Sequence, residues 1–140
     1  MMMKGVRIFV AMRRMMLPVI VLFAAYVQFH GDYGPGGGFQ AGVIAAAAVV
    51  FYGLVYGLES ARQVVPDRLV ETMIAAGVLL YAGVGFAGIA LGGNYLDYFV
   101  LGATPVDGQH RGIFWVEAGV AITVSGVMLK VFYMFADRQP

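Results

Sequence analysis

Cysteine is absent from this chain of 140 residues, and histidine is rare. The missing thiols exclude disulfides, thiolate nucleophiles, iron–sulfur ligation and cysteine-based zinc sites. The two histidines, His30 and His110, are too few for haem or multi-histidine metal chemistry. The sequence therefore predicts no cofactor and no metal site.

Charged residues are equally scarce, at 12% of the chain against about 25% in a typical soluble domain. Hydrophobic residues make up 61% of the chain, and the mean hydropathy is +0.81. Too few charges remain to cover a globule in water, so we expect a membrane protein. The net charge of +1 gives no indication of nucleic-acid binding.

Four stretches of the chain are apolar enough to cross a bilayer, which takes about 20 residues of helix. The first stretch includes Arg13 and Arg14, whose long side chains would extend to the interface. We predict an all-α membrane protein, built as a single integral membrane domain over residues 1–140. Its four transmembrane helices are predicted near residues 8–29, 39–58, 68–92 and 112–135.

The basic residues are distributed unevenly between the ends of these helices. Eight of the nine fall near the N-terminus, between the second and third helices, or near the C-terminus, and only Arg111 falls on the other side. Cytoplasmic loops carry an excess of Lys and Arg. We therefore predict cytoplasmic termini, a cytoplasmic turn at 59–67, outward-facing segments at 31–38 and 94–111, and a multi-pass location in the cell membrane.

The last predicted helix has two faces that both avoid lipid. Small residues form a stripe along one face: Gly112, Gly119, Thr123 and Gly126. Glu117 points roughly the opposite way, because successive residues are about 100° apart. A carboxylate at lipid depth is costly and should face protein or water. Four short helices do not easily supply neighbours for both faces, so we predict that the chain is part of a larger complex.

A glycine-rich segment joins the first two helices. Its Gly36-x-Gly38-x-x-Ala41 spacing matches a dinucleotide fingerprint, but no strand precedes it, and no Gly-Lys-Ser/Thr follows as in a phosphate-binding loop. The physical interpretation is a sharp turn, in which Pro35 fixes its own φ and the glycines permit positive φ and close backbone approach. Direct ion binding by this segment is the alternative.

Several of these features together resemble one family. The segment Pro35-Gly36-Gly37-Gly38-Phe39 leads into a helix of small residues, a charged turn follows at 59–62, and the last helix combines Glu117 with Gly119. This pattern resembles the MnhB/MrpB family, whose members are subunits of multisubunit (Mrp-type) Na⁺/H⁺ antiporters. The resemblance implies a non-enzymatic accessory subunit that packs against larger subunits within the lipid bilayer. Na⁺ and H⁺ would be the ions that the complex transports.

Two other functions are compatible with the sequence. MnhB-like subunits also occur in membrane-bound hydrogenases and related ion-pumping respiratory complexes, and partners rather than sequence would separate these from an antiporter. A stand-alone four-helix transporter acting as a homodimer would need an acidic residue in its substrate-facing helices. The first helix has none, so this alternative is disfavoured.

Three ionisable residues are candidates for an ion path. Glu117 is the acidic residue within the apolar part of the last helix, and a membrane carboxylate is a functional hypothesis by default. His30 and Asp32 flank the start of the glycine segment and could relay protons, because histidine titrates near neutral pH. The alternatives are a structural hydrogen bond for Glu117 and helix capping at the outer surface for His30 and Asp32.

Overall fold

The protein is an all-helical bundle in the computed structural model, which describes residues 2–31 and 36–138. The helices are α1 (Met2–His30), α2 (Gly38–Tyr56), α3 (Leu58–Val64), α4 (Asp67–Ala90) and α5 (Pro105–Ala136), with a short 3₁₀ turn at Tyr98–Leu101 before α5. Four stretches are long and apolar enough to cross a membrane: Val10–His30 of α1, and the whole of α2, α4 and α5. This agrees with the four spans that the sequence predicts.

The last helix begins at Pro105, earlier than the predicted start near residue 112. The Thr104 side chain accepts a hydrogen bond from the Asp107 backbone N–H at 3.2 Å and caps the helix, and proline is favoured at the first helical position. Part of the predicted outer segment 94–111 is therefore the first two turns of α5. The start of α5 is set by the polar side chain of Thr104, whereas the predicted start is based on apolar residues alone.

The predicted turn at 59–67 contains the short helix α3. Gly57 separates α3 from α2, and its φ of +97° is strained for residues with a side chain. Pro66 then ends the connection and leads into α4 at Asp67. The chain therefore reverses direction here through a short helix rather than through an irregular loop.

Helix α5 packs against α4 along its stripe of small residues. A β-carbon on Gly77 of α4 would lie 2.5 Å from the Gly119 carbonyl oxygen, so the two backbones are in direct contact. One turn further along, the Thr123 hydroxyl donates a hydrogen bond to the Ile74 carbonyl at 3.2 Å, and Gly126 rests against Val70 and Ile74. Small residues allow this close approach, as is usual between membrane helices.

The neighbouring face of α5 packs against α2. A β-carbon on Gly42 would lie 2.7 Å from the Ala121 carbonyl oxygen, and the Ser125 hydroxyl donates to the Gly42 carbonyl at 3.0 Å. Both faces of α5 therefore have protein neighbours within this chain. The packing of α5 therefore does not by itself require further subunits.

A buried tyrosine anchors the end of the bundle where α5 finishes. Tyr133 is 1% exposed, and its hydroxyl donates to the Val65 carbonyl at 2.8 Å. Leu129 and Val70 are buried beside it. The Arg62 guanidinium lies 5.1 Å from the centre of the Tyr133 ring, a cation–π distance.

Arg62 also forms a two-pronged ion pair with Asp137, just past the end of α5. The Arg62 nitrogens donate to the two carboxylate oxygens at 2.9 and 2.6 Å. This hydrogen bonding holds the pKa of Asp137 below its usual range and raises the pKa of Arg62. Nearby, Lys130 of α5 pairs with Glu71 of α4 at 2.7 Å. The ion pairs thus fasten α5 to α3 and α4 at one end of the bundle.

Replacing Asp137 tests this fastening. A carboxyl with a lowered pKa stabilises the fold at neutral pH, and the contribution is lost as the pH falls through that pKa. We expect Asp137→Asn to lower the thermal midpoint in detergent by about 2 °C at pH 7, the small effect of an exposed pair. The difference from the wild type should shrink in the acid range. Arg138→Gln is the matched control, and equal midpoints for wild type and Asp137→Asn at pH 7 would contradict the assignment.

Candidate functional site around Glu117

Glu117 lies on the face of α5 that the α1–α2 connection covers, and it is half-buried. Two glycines leave room for its carboxylate. A β-carbon on Gly31 would lie 2.9 Å from Glu117 Oε2, and one on Gly37 would lie 3.0 Å from Oε1. Side chains at these positions would have to displace the carboxylate. Because Gly31 and Gly37 have no side chains, they leave space for the Glu117 carboxylate, and we call these two glycines its cradle.

Gly38, the first residue of α2, rests on the Glu117 backbone. A β-carbon there would overlap the Glu117 carbonyl oxygen and lie 2.8 Å from its carbonyl carbon. Gly38 and Gly42 are one helical turn apart and meet Glu117 and Ala121, which are also one turn apart. The start of α2 and this part of α5 therefore share one backbone-to-backbone contact.

Gly36 and Phe39, the other described residues of the predicted glycine motif, lie in different surroundings. Gly36 has φ +128°, which side chains rarely adopt, and a β-carbon would also crowd Val27. Phe39 is 60% exposed and does not enter the bundle. Pro35 lies outside the described residues. The glycines thus serve both a turn and a close contact.

The two other predicted ion-path residues have different outcomes. His30 is the last residue of α1 and is exposed, and its ring stacks on that of Tyr26 with centroids 5.1 Å apart. Asp32 lies outside the described residues. The candidate site is therefore built around Glu117.

A cavity of about 270 Å³ opens between α1 and α5 beside Glu117. Gln28 and Phe29 line it from α1, and His110, Arg111, Phe114, Trp115 and Glu117 line it from α5. Phe29 and Phe114 stack across the gap with centroids 5.7 Å apart. His110 and Arg111 are exposed and lie closer than Glu117 to the start of α5.

Gln28 is the member of this site that sequence reasoning missed. Both polar atoms of its side-chain amide are buried and have no hydrogen-bond partner in the described part of the chain. A signal was available, because Gln28 is an amide inside an otherwise apolar run that extends from residue 15 to 29. A search for charged residues within the helices overlooks an uncharged amide.

The described residues contain no cluster of three or more His, Asp or Glu that could hold a metal ion. The cavity instead combines a carboxylate, an amide, an imidazole and a guanidinium. The carboxylate and the imidazole can exchange protons, and all four groups can order water, since each donates or accepts hydrogen bonds.

Comparison with known proteins assigns the chain to a family. A family model described as a domain related to the MnhB subunit of Na⁺/H⁺ antiporter matches residues 8–130. The chain belongs to the MnhB family. MnhB relatives extend over most of its length, and the family together with four apolar helices makes the chain a multi-pass protein of the cell membrane.

Three relatives define this MnhB similarity. The B subunit of a Na⁺/H⁺ antiporter from Alkalihalophilus pseudofirmus is 32% identical over 116 residues, covering 76% of this chain and 80% of the relative. The Bacillus subtilis protein of the same name is 29% identical over 128 residues, 86% of each chain. A putative antiporter subunit from Staphylococcus haemolyticus is 26% identical over 120 residues, covering 81% and 82%.

A single methyl group at Gly38 tests the contact that positions Glu117. We expect Gly38→Ala to lower the free energy of unfolding by about 1–3 kcal/mol, because the added carbon overlaps a backbone atom that does not give way. Thermal unfolding in detergent, followed by the fluorescence of Trp115, measures the effect. Gly83→Ala is the matched control, since a β-carbon at Gly83 meets nothing within 4 Å. Equal stability of the two variants would refute the contact.

Proposed function

We propose that this MnhB-family chain is an accessory membrane subunit of a multisubunit Na⁺/H⁺ antiporter. The observation that carries the proposal is the family match over residues 8–130, together with relatives named as B subunits of such antiporters. The four helices that are apolar enough to cross a membrane support such a membrane subunit. The relatives' names do not favour the alternative of a subunit from a hydrogenase or related respiratory complex.

The proposed orientation places both termini on the cytoplasmic side. The end of α2, α3 and the end of α5 lie together, since Arg62 pairs with Asp137, and Arg13 of α1 lies 5.8 Å from the Tyr56 ring. Most basic residues are at this end, which supports a cytoplasmic location. Arg111 and the Glu117 site then face the outer half of the membrane. The whole chain, residues 1–140, acts as a single membrane domain.

Within the complex, we assign Glu117 to the route of protons or cations, with His30 and Asp32 as candidate residues at its outer entrance. Support comes from the cradle of Gly31 and Gly37, which reserves space for a carboxylate at membrane depth. A carboxylate at membrane depth costs free energy, which favours a functional role for it. Lipid and the larger subunits of the complex surround the chain.

The assembly can be tested by isolating the tagged chain from its native membrane in mild detergent. We expect stoichiometric co-purification of the larger antiporter subunits, identified by mass spectrometry. A tagged, unrelated four-helix membrane protein from the same cells is the control. Recovery of nickel–iron or iron–sulfur proteins, or of the chain alone, would overturn the proposed assembly.

The role of Glu117 can be tested in vesicles that contain the complete complex. Glu117→Gln keeps the shape of the side chain and removes its charge, so we expect cation-dependent proton release to fall by at least about tenfold, as when a proton-transferring group is lost. Glu59→Gln, on the exposed surface of α3, is the matched control. Full antiport with Glu117→Gln, at equal amounts of complex, would remove Glu117 from the route and leave a structural role.

A further inference from the structure

The amide of Gln28 is the least explained polar group of the described chain. Its Oε1 and Nε2 atoms are both buried and have no hydrogen-bond partner among the described residues. Buried amides almost always have a partner from protein or ordered water, because leaving them unpaired costs free energy. The described residues therefore leave the partner of this amide open to another group, such as ordered water.

Gln28 occupies the wall between two cavities of different character. The outer cavity, about 270 Å³, also contains Glu117, His110 and Arg111. The inner cavity, about 280 Å³, lies between α1, α2, α4 and α5 and is lined mainly by small apolar residues such as Ala24 and Ala121. Gln28 is the residue that these two cavities share. The amide thus stands where a polar space ends and an apolar one begins.

Water is the occupant that fits the outer cavity. A water molecule takes about 30 Å³, so the cavity has room for several, and the site offers polar groups to bind them. A bare metal cation is less suited, because Arg111 contributes a positive charge to the lining of the same cavity. The inner cavity is lined mainly by alanines and other apolar residues, which offer water few hydrogen-bond partners.

A second protein chain is a poor source for the missing partner. Both amide atoms are enclosed within this chain, so a partner has to be small enough to enter the adjacent cavity. Gln28 lines the outer cavity, so a change in its side-chain torsions would bring the amide into contact with water there. Water admitted to the cavity is the group that can meet the amide there.

We infer that Gln28 is a further residue of the Glu117 site, where it holds water in the outer cavity and thereby keeps a hydrogen-bonded link between Glu117 and the outer solvent. This inference rests on the proposed antiporter function. Gln28 is a positioning residue, because it acts through water on the group that carries the proton. The link ends at Gln28, since the inner cavity beyond it offers no continuation for protons.

Two substitutions at Gln28 separate polarity from packing. Gln28→Leu keeps the volume and removes the amide, whereas Gln28→Asn keeps the amide and loses volume. In vesicles containing the complete complex, we expect Gln28→Leu to reduce the rate of cation-dependent proton release by about tenfold, in line with loss of a proton-transfer contact. Gln28→Asn should retain at least about half of the rate. A packing role requires the reverse order.

The controls make the outcome specific to this site. Rates are divided by the amount of assembled complex, and Gln63→Leu on the exposed surface of α3 is the matched amide removal. Wild-type vesicles without antiport would overturn the proposed function itself. Active wild type with an unaffected Gln28→Leu, or with Gln28→Asn more impaired than Gln28→Leu, would overturn the inference while leaving the proposed function intact.

Discussion

Direct contact between helix backbones is the constraint on which this structure depends. Lipid tails are as apolar as the side chains, so membrane helices gain little by hiding apolar surface from them and associate through close packing and hydrogen bonds. Helix α5 makes such contacts with α4 through Gly77 and Gly119 and with α2 through Gly38 and Gly42. A methyl group at any of these four positions would meet a neighbouring backbone oxygen, within 2.8 Å at Gly42, Gly77 and Gly119 and in overlap with it at Gly38.

The functional candidate follows from the same constraint. Glu117 belongs to the contact between α2 and α5, because its backbone contacts Gly38. Its carboxylate lies against Gly31 and Gly37. The contact that holds α2 against α5 therefore also fixes the position of Glu117. At the other end of the bundle the chain uses different chemistry, with Tyr133 and the Arg62–Asp137 pair in place of glycine contacts. Close backbone packing stabilises the first end, and hydrogen bonds and an ion pair stabilise the other.

The sequence predicts the helices well and their surroundings less well. Apolar runs of sufficient length locate all four spans, since crossing a bilayer leaves few alternatives. The predicted start of α5 is too late because Thr104 and Pro105 act through capping and backbone geometry rather than apolarity. The small-residue stripe is visible in the sequence, but its partner cannot be chosen from sequence, and α4 within the same chain supplies it.

The site is only half predictable for a related reason. Glu117 is visible in the sequence as a charge in an apolar helix. The residues that surround it depend on how α1 packs against α5, which the sequence does not show. The cavity that joins Gln28 to Glu117 involves residues 89 positions apart, and no local pattern connects them. The roles of His30, Asp32 and Glu117 in ion movement remain proposals that transport measurements on the complex decide.

The length of α5 has a consequence for where Glu117 sits in the membrane. Its 32 residues extend about 48 Å, well beyond the roughly 30 Å of hydrocarbon. If Lys130, paired with Glu71, marks the inner boundary, Glu117 is about 20 Å above it and so about 10 Å below the outer one. A proton that reaches Glu117 from outside has then crossed about a third of the barrier. In the proposed antiporter, the remaining two thirds of this barrier would be crossed through other subunits.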